Sequence, residues 1–241
     1  MEEQFTENMA RVVLYWIPLG AGGALTVRVS GRVYESVQAL LEHRRALDLY
    51  HTALQIDVGG DHWIVENAWP SPDDDIASRG VVSVGPVWSR RLERFRLFRY
   101  EVRCWRDGII SDVEEAVTAR TLGGDAEEAR HLLALVRTVP VHAWGRKPSR
   151  GGEMWNSNSV ISYLLAISGF PAAECRPPDG GRAPGWDTGI RVAGGLTERQ
   201  RRMRTAPNEE PGRSPPRISG MGQSALPDRT YASPTRGREE S

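Results

Sequence analysis

Cysteine is scarce in this chain, since Cys104 and Cys175 are the only two in 241 residues. Two cysteines cannot form the set of disulfides that holds small secreted domains together, so we expect a reducing compartment. Neither lies in a Cys-x-x-Cys pair or at ligand spacing from a histidine, which argues against a zinc site. The glycine-rich stretches at 20–23 and 180–181 form neither a P-loop nor a dinucleotide fingerprint. We therefore expect no metal and no cofactor.

Lysine and long apolar runs are also missing. Lys147 is the single lysine beside 30 arginines, and the formal net charge is zero, so the total charge gives no strong signal for nucleic acid. No run of 18 apolar residues exists, which predicts that no segment spans a membrane. Residues 1–10 are acidic and polar and lack the apolar stretch of a signal peptide, so the expected location is cytoplasmic.

What the sequence does contain is a series of short patterned segments. Alternating or β-branched segments predict strands at Arg11–Pro18, Leu25–Ser30, Tyr50–Val58, His62–Trp69, Val81–Val87 and Phe95–Trp105. Apolar residues at helical spacing predict helices at Tyr34–Leu47, Asp125–Thr138 and Trp155–Ser168, with a short helix after Ser111. These elements predict an α+β fold in which a small antiparallel sheet packs with helices.

The composition changes at Gly194. Residues 194–241 hold six prolines, six glycines and nine arginines against six acidic residues, with few large apolar side chains. Such a segment buries too little apolar surface to offset its conformational entropy. The sequence thus predicts one globular domain over residues 1–193 and a disordered Pro/Gly/Arg-rich tail over residues 194–241.

Two stretches carry candidate chemistry. Asn156, Ser157, Asn158 and Ser159 stand directly before an apolar helical run, and His51 lies early in a predicted strand. A hydroxyl in the first turn of a helix meets unpaired N–H groups and the positive end of the helix dipole, which favour a developing anion. A histidine on a neighbouring strand can act as its base. A capping box explains the first stretch equally well.

A catalytic histidine also needs a group that orients it. Counting by twos along the next strand places His62 and Glu66 on one face. Glu66 is the preferred candidate because a carboxylate best stabilises an imidazolium, and His62 is the alternative.

The order of these residues resembles the circularly permuted papain-like fold. That group includes the lecithin retinol acyltransferase-like proteins and the permuted papain-fold peptidases, in which a strand histidine precedes a helix that opens Asn-Cys-Asn. The stretch Trp155–Ser159, with Pro184-Gly185-Trp186 beyond it, is also similar to uncharacterised bacterial proteins with serine in the cysteine position. The resemblance covers roughly residues 49–189. It implies a small sheet packed on the serine-bearing helix, and acyl chemistry on an amide or ester bond.

Serine in place of cysteine leaves two hypotheses. A hydroxyl needs stronger base assistance than a thiol, so Ser157 is either a working nucleophile of a hydrolase or acyltransferase or the mark of an inactive papain-like binding module. The partner would be a peptide, a lipid or an ester substrate. Asn156, Asn158 and Ser159 are the neighbouring candidate binding residues, and Trp155 and Trp186 are candidates for stacking on a ligand. Residues 90–99 alternate arginine with leucine and phenylalanine, which predicts a half-exposed strand or edge rather than a nucleic-acid face.

Overall fold

The computed structural model describes residues 10–19, 43, 45–70, 80–110, 114, 116–149 and 151–205. All of the described residues lie in one unit of the chain, Met1–Thr205. They form an antiparallel sheet of six strands and three α-helices, which confirms the predicted α+β class. The strands are β1 (Ala10–Pro18), β2 (Tyr50–Val58), β3 (Asp61–Ala68), β4 (Val81–Pro86), β5 (Arg99–Arg106) and β6 (Thr118–Thr121), in the order β4-β5-β3-β2-β1-β6.

The centre of the sheet is built from β1 and the hairpin of β2 and β3. Gly59 and Gly60 both have positive φ values, 61° and 82°, as a two-residue type I′ turn requires. Alternate residues of β1 and β2 face opposite sides. Trp16 and Leu54 contribute to the larger core on what we call the helix face, whereas Ile17 and Ala53 pack on the opposite face.

The helices are α1 (Ala126–Leu135), α2 (Ser157–Ile167) and α3 (Trp186–Thr205). Asp125 is the N-cap of α1 and forms a capping box. Its side chain accepts from the N–H of Glu128, and the Glu128 side chain accepts from the N–H of Asp125. Leu132 of α1 and Ile161 of α2 are fully buried in the larger core. A Cβ on Gly189 of α3 would lie 2.1 Å from Ser162 Oγ of α2, so only glycine permits this close approach.

Three predicted elements differ from the structure. The chain over Phe95–Phe98 is not a strand but a 3₁₀ turn that leads into β5, because β4 ends at Pro86 opposite Arg99 and offers no further ladder. Helix α3 runs to Thr205, so the predicted domain boundary at residue 193 falls inside a helix and is wrong. Strand β6 was not predicted, because its four residues, Thr118–Thr121, show no apolar alternation.

Other predicted elements fall outside the described residues. These are the strand Leu25–Ser30 and most of the helix Tyr34–Leu47, of which the described part, residues 45–47, is not helical. The short helix after Ser111 and the tail beyond Thr205 also lie outside them. Within the described part of the chain, no helix has both the length and the apolar character needed to cross a bilayer.

Candidate functional site

The first turn of α2 is built by the polar stretch that the sequence singled out. Asn156 is the N-cap, and its side-chain oxygen accepts from the N–H of Ser159 at 3.2 Å. In return, the N–H of Asn156 donates to Ser159 Oγ at 3.3 Å, which completes a capping box. The capping interpretation is therefore confirmed for Asn156 and Ser159.

Asn158 joins this helix start to the beginning of β2. Its Nδ2 donates to the carbonyl oxygen of Tyr50 at 2.9 Å and to that of Pro184 at 3.0 Å, and its Oδ1 accepts from Thr52 Oγ1 at 3.1 Å. Asn158 is 2% exposed, so these three bonds satisfy an amide that water does not reach. The helix start and the strand are thus held together by a buried side chain.

This junction exists because β2 and β3 separate. Their pairing runs from the turn only as far as Leu54 and Val65, whereas β2 continues to pair with β1 up to Tyr50. The edge of β2 that would have faced β3 is therefore not paired with β3 over residues 50–53, and at Tyr50 the N–H donates to Arg182 O while Asn158 takes the carbonyl. A sheet edge with unpaired backbone groups needs such a partner when it is buried.

The loop before α3 closes the other side of the junction. Asn156 Nδ2 donates to Pro184 O at 2.8 Å, and Ser159 Oγ donates to Gly185 O at 2.8 Å. Gly185 has φ 85°, and a Cβ there would lie 2.6 Å from both Asn156 Oδ1 and Ser159 Oγ. Glu153 holds the same loop through Arg182 Nη2 at 2.6 Å. The predicted binding residues Asn156, Asn158 and Ser159 thus bind the protein's own backbone.

Ser157 is the exception within this stretch. It is the first residue of α2 and is 7% exposed, yet its hydroxyl makes no hydrogen bond to any described residue. The N–H groups of Ser157 and Asn158 are likewise without a hydrogen-bond acceptor among the described residues. These are the positions at which a helix leaves its N–H groups unpaired. A hydroxyl and two donors therefore stand together at the positive end of α2.

His51 lies on β2 between the two residues that Asn158 binds, Tyr50 and Thr52. It pairs with Ile17 of β1, and strand alternation directs its side chain to the opposite face from Thr52. Burial lowers the pKa of His51 from its ordinary 6.5 to about 4, so the imidazole is neutral at pH 7. The structure brings the two predicted stretches together, with no hydrogen bond between His51 and Ser157.

Neither predicted orienting residue forms a hydrogen bond with His51. Glu66 Oε1 accepts from Arg103 Nη1 at 3.2 Å, and Arg103 is held in turn by Glu101 Oε2 at 3.0 Å. Among the described residues, the Glu66 carboxylate is thus bonded to Arg103 and not to His51. Arg103 lies opposite Glu66 on β5, a pairing that no pattern in β3 reveals.

His62 is wrong as an orienting residue. Its Nδ1 lies 2.7 Å from Asp57 Oδ1, and Asp57 is its partner in the ladder. Asp57 stands six residues beyond His51 on the same strand, which at a rise of about 3.4 Å per residue is about 20 Å away.

The two tryptophans are core residues rather than stacking platforms. Trp155 is 0% exposed and packs edge-on against His142, with ring centroids 4.8 Å apart. Trp186 is 5% exposed, lies 4.9 Å from Trp16, and donates from Nε1 to Ala172 O at 3.0 Å. Their predicted stacking role is wrong, because neither ring offers a free face to a ligand.

Asn67 is a residue that sequence reasoning passed over. Both polar atoms of its side chain are buried and have no hydrogen-bond partner in the part of the chain that the structure describes. It lies on β3 beyond the point where β2 leaves, opposite Val102 of β5 and on the helix face with Val65. Its place in the alternating pattern of β3 is the signal that would have found it, because the pattern puts a polar side chain on a core-facing position.

The described residues contain no group of three or more His, Cys, Asp or Glu side chains that could hold a metal ion. Comparisons of the chain with protein-family models, with curated proteins and with solved structures gave no match in any of the three. The geometry of the α2–β2 junction is therefore the basis of the functional argument.

Proposed function

We propose that the junction of α2 and β2 carries acyl chemistry on an amide or ester bond, with Ser157 as nucleophile and His51 as base. One observation carries the proposal. Asn158 fixes the helix start to the residues on either side of His51, while the neighbouring Ser157 hydroxyl is left without a bond to the described residues. Every other polar side chain of the stretch Asn156–Ser159 is bonded to the protein itself.

The proposal requires Ser157 and His51 to meet at the edge of the sheet. Asn158 binds the Tyr50 carbonyl at the edge of β2 that β3 leaves, as well as the Thr52 hydroxyl on the helix face, so α2 begins at this edge. Successive residues of a helix project about 100° apart, so Ser157 points in a different direction from Asn158. The proposal requires the Ser157 side chain to reach round this edge to the face that carries His51.

The reaction follows from the groups present. Neutral His51 takes the proton from the Ser157 hydroxyl as the oxygen attacks the substrate carbonyl. The N–H groups of Ser157 and Asn158 stabilise the negative charge that develops on the carbonyl oxygen. The protonated His51 then gives its proton to the leaving amine or alcohol, which yields an acyl-serine. Water hydrolyses this ester, or another acceptor takes the acyl group.

The environment of His51 sets the pH range of this chemistry. A base with a pKa of about 4 is neutral over the whole physiological range but is a weak proton acceptor. The proposed activity therefore persists in mild acid and falls only as the pH approaches 4. The circularly permuted papain-like order, histidine before nucleophile, is part of this proposal.

Two labelling experiments test the proposal, one on the Ser157 hydroxyl and one on a thiol placed at the same position. A serine-directed fluorophosphonate is expected to label the protein, and Ser157→Ala or His51→Gln is expected to abolish the labelling. Ser168→Ala, at the other end of α2, is the matched control and is expected to keep the label.

The second experiment uses Ser157→Cys. Iodoacetamide is expected to alkylate the new thiol at least about tenfold faster than the native cysteine thiols.

The native thiols provide a low background in that experiment. Burial raises the pKa of Cys104 to about 11 and also raises that of Cys175, so both are protonated at pH 7. Adding His51→Gln to Ser157→Cys is expected to slow the alkylation. Absence of Ser157-dependent labelling, together with slow alkylation of the new thiol, contradicts the proposal.

A binding module without catalysis is the second candidate. The observation that favours it is that Glu66 is bonded to Arg103 and His62 to Asp57, so that no carboxylate among the described residues is bonded to His51. This candidate predicts that the fluorophosphonate does not label Ser157 and that iodoacetamide does not react with the thiol of Ser157→Cys.

A further inference from the structure

The segment between β4 and β5, Trp88–Arg99, exposes large apolar side chains. It forms two 3₁₀ turns, Arg90–Leu92 and Arg96–Phe98. Trp88 is 60% exposed, Phe95 48% and Leu97 77%. Side chains of this size are usually buried, and a cluster of them on one short segment marks an interaction surface.

The same segment is strongly basic. It holds five arginines and one glutamate, a formal charge of +4 (five minus one). Arg90, Arg91 and Arg94 are exposed, and the guanidinium of Arg94 lies 4.7 Å above the ring of Phe95. Such a local charge stands out because the whole chain is neutral, and it favours a partner of negative charge.

The apolar side chains are held in place by the backbone beneath them. Trp88 has φ 62°, a left-handed conformation that a residue with a large side chain rarely adopts. Its N–H donates to Trp144 O at 2.9 Å, and its carbonyl accepts from Arg146 Nε at 2.9 Å. Arg99 Nη2 donates to Arg94 O at 3.3 Å at the other end of the segment. A strained backbone kept by several bonds points to a purpose for the exposed side chain.

We propose that Trp88–Arg99 docks the protein on the surface of an anionic lipid bilayer. Trp88, Phe95 and Leu97 enter the interfacial layer, where tryptophan and other large apolar side chains are favoured. The arginines lie against the acidic headgroups, which attract basic residues near a membrane surface. The docking needs no catalysis and does not depend on the chemistry proposed for Ser157.

The exposed side chains favour lipid over single-stranded nucleic acid. Nucleic acid is also negative, and it binds arginine-rich surfaces by stacking bases on aromatic rings. The most exposed apolar side chain of the segment, however, is Leu97, which has no ring on which a base can stack. An exposed aliphatic side chain on the same segment as Phe95 and Trp88 gains most from contact with the acyl chains at the boundary of a bilayer.

The experiment measures sedimentation of the full chain with vesicles. Binding to phosphatidylcholine vesicles containing phosphatidylserine is expected, with little binding to phosphatidylcholine alone and weaker binding at high salt. Phe95→Ala combined with Leu97→Ala is expected to lower the affinity roughly tenfold or more. Arg90→Glu combined with Arg91→Glu is expected to lower it by a similar factor.

Ile109→Ala is the matched control. Ile109 is 73% exposed but follows the far end of β5, so its loss is expected to leave vesicle binding unchanged. Circular dichroism of each variant shows that the fold is kept. Equal binding to both kinds of vesicle, binding that no substitution in the segment changes, or failure of the wild-type chain to bind would each overturn the proposal. So would tight binding of a single-stranded oligonucleotide that Phe95→Ala abolishes while vesicle binding is unaffected.

Discussion

The hairpin of β2 and β3 has two ends with opposite character. At the closed end, next to the Gly59-Gly60 turn, polar side chains satisfy one another in a chain. Tyr15 donates to Gln55 at 2.7 Å, Gln55 to Asp57 at 2.8 Å, and Asp57 lies 2.7 Å from His62. At the open end, where the strands separate, His51 and Asn67 have no side-chain hydrogen bond to another described residue.

This difference shows how strand pairing controls chemistry. Continuous pairing brings side chains opposite one another, so their hydrogen bonds form within the sheet and near water. Separation of the strands opens backbone groups to another element, and Asn158 of α2 takes that place. The imidazole at the open end is desolvated and neutral, whereas His62 is 38% exposed beside a carboxylate. Two histidines on one hairpin thus have different chemical properties.

Breaking the open end is expected to cost the most stability. Asn158→Ala removes three hydrogen bonds at a buried site and leaves the Tyr50 carbonyl without this donor and the Thr52 hydroxyl without this acceptor, which costs about 3 kcal/mol. Asp57→Asn at the closed end is the matched comparison and is expected to cost less than about 1 kcal/mol, because the pair is partly exposed. Urea unfolding of both variants measures the two losses. Equal losses would show that α2 does not depend on this junction.

The second prediction concerns acid stability. The pKa of His51 is about 4 in the folded protein and near 6.5 in the unfolded chain, so between these values only the unfolded chain takes up the proton. Above pH 6.5 the His51 imidazole is neutral in both the folded and the unfolded chain. As the pH drops from 6.5 toward 4, its contribution lowers the free energy of unfolding by about 3 kcal/mol in total. Below pH 4 no further loss occurs.

His51→Gln separates this effect from other acid-sensitive groups. The variant is expected to lose less stability than the wild type between pH 7 and pH 4.5, as measured by urea unfolding at both values. His62→Gln provides the comparison at the closed end. Identical pH dependence of the wild type and His51→Gln would show that the imidazole remains hydrated in the folded protein.

Local signals in the sequence predicted much of this hairpin and of α2. The glycine pair specifies the turn, alternation specifies the faces, and an asparagine three residues before a serine specifies the cap. Counting by twos also placed Glu66 and His62 on a common face. It could not supply their partners, because Arg103 comes from β5, whose register with β3 depends on distant pairing.

The separation of the strands and the length of α3 escaped prediction for a similar reason. Gly189, Gly194 and Gly195 each disfavour a helix by about 1 kcal/mol relative to alanine, so the sequence indicated a loop and then a tail. Packing against α2 reverses that preference, since Gly189 permits the close approach of the two helices. The edge of β2 that β3 leaves is stabilised by Asn158 of α2, a residue distant in the sequence.

The smallest expected effect sharpens the comparison at the open end. Asn67 and Asn158 are both buried there, but only Asn158 is bonded. Asn67→Leu keeps a similar volume and removes an amide that has given up its bonds to water without replacement, so the free energy of unfolding is expected to rise by about 1 kcal/mol. Asn158→Leu, the same change at the bonded amide, is expected to lower it. A loss of stability in Asn67→Leu as well would mean that the amide is satisfied by an internal water molecule, and its buried position would then be part of a hydrated site beside α2.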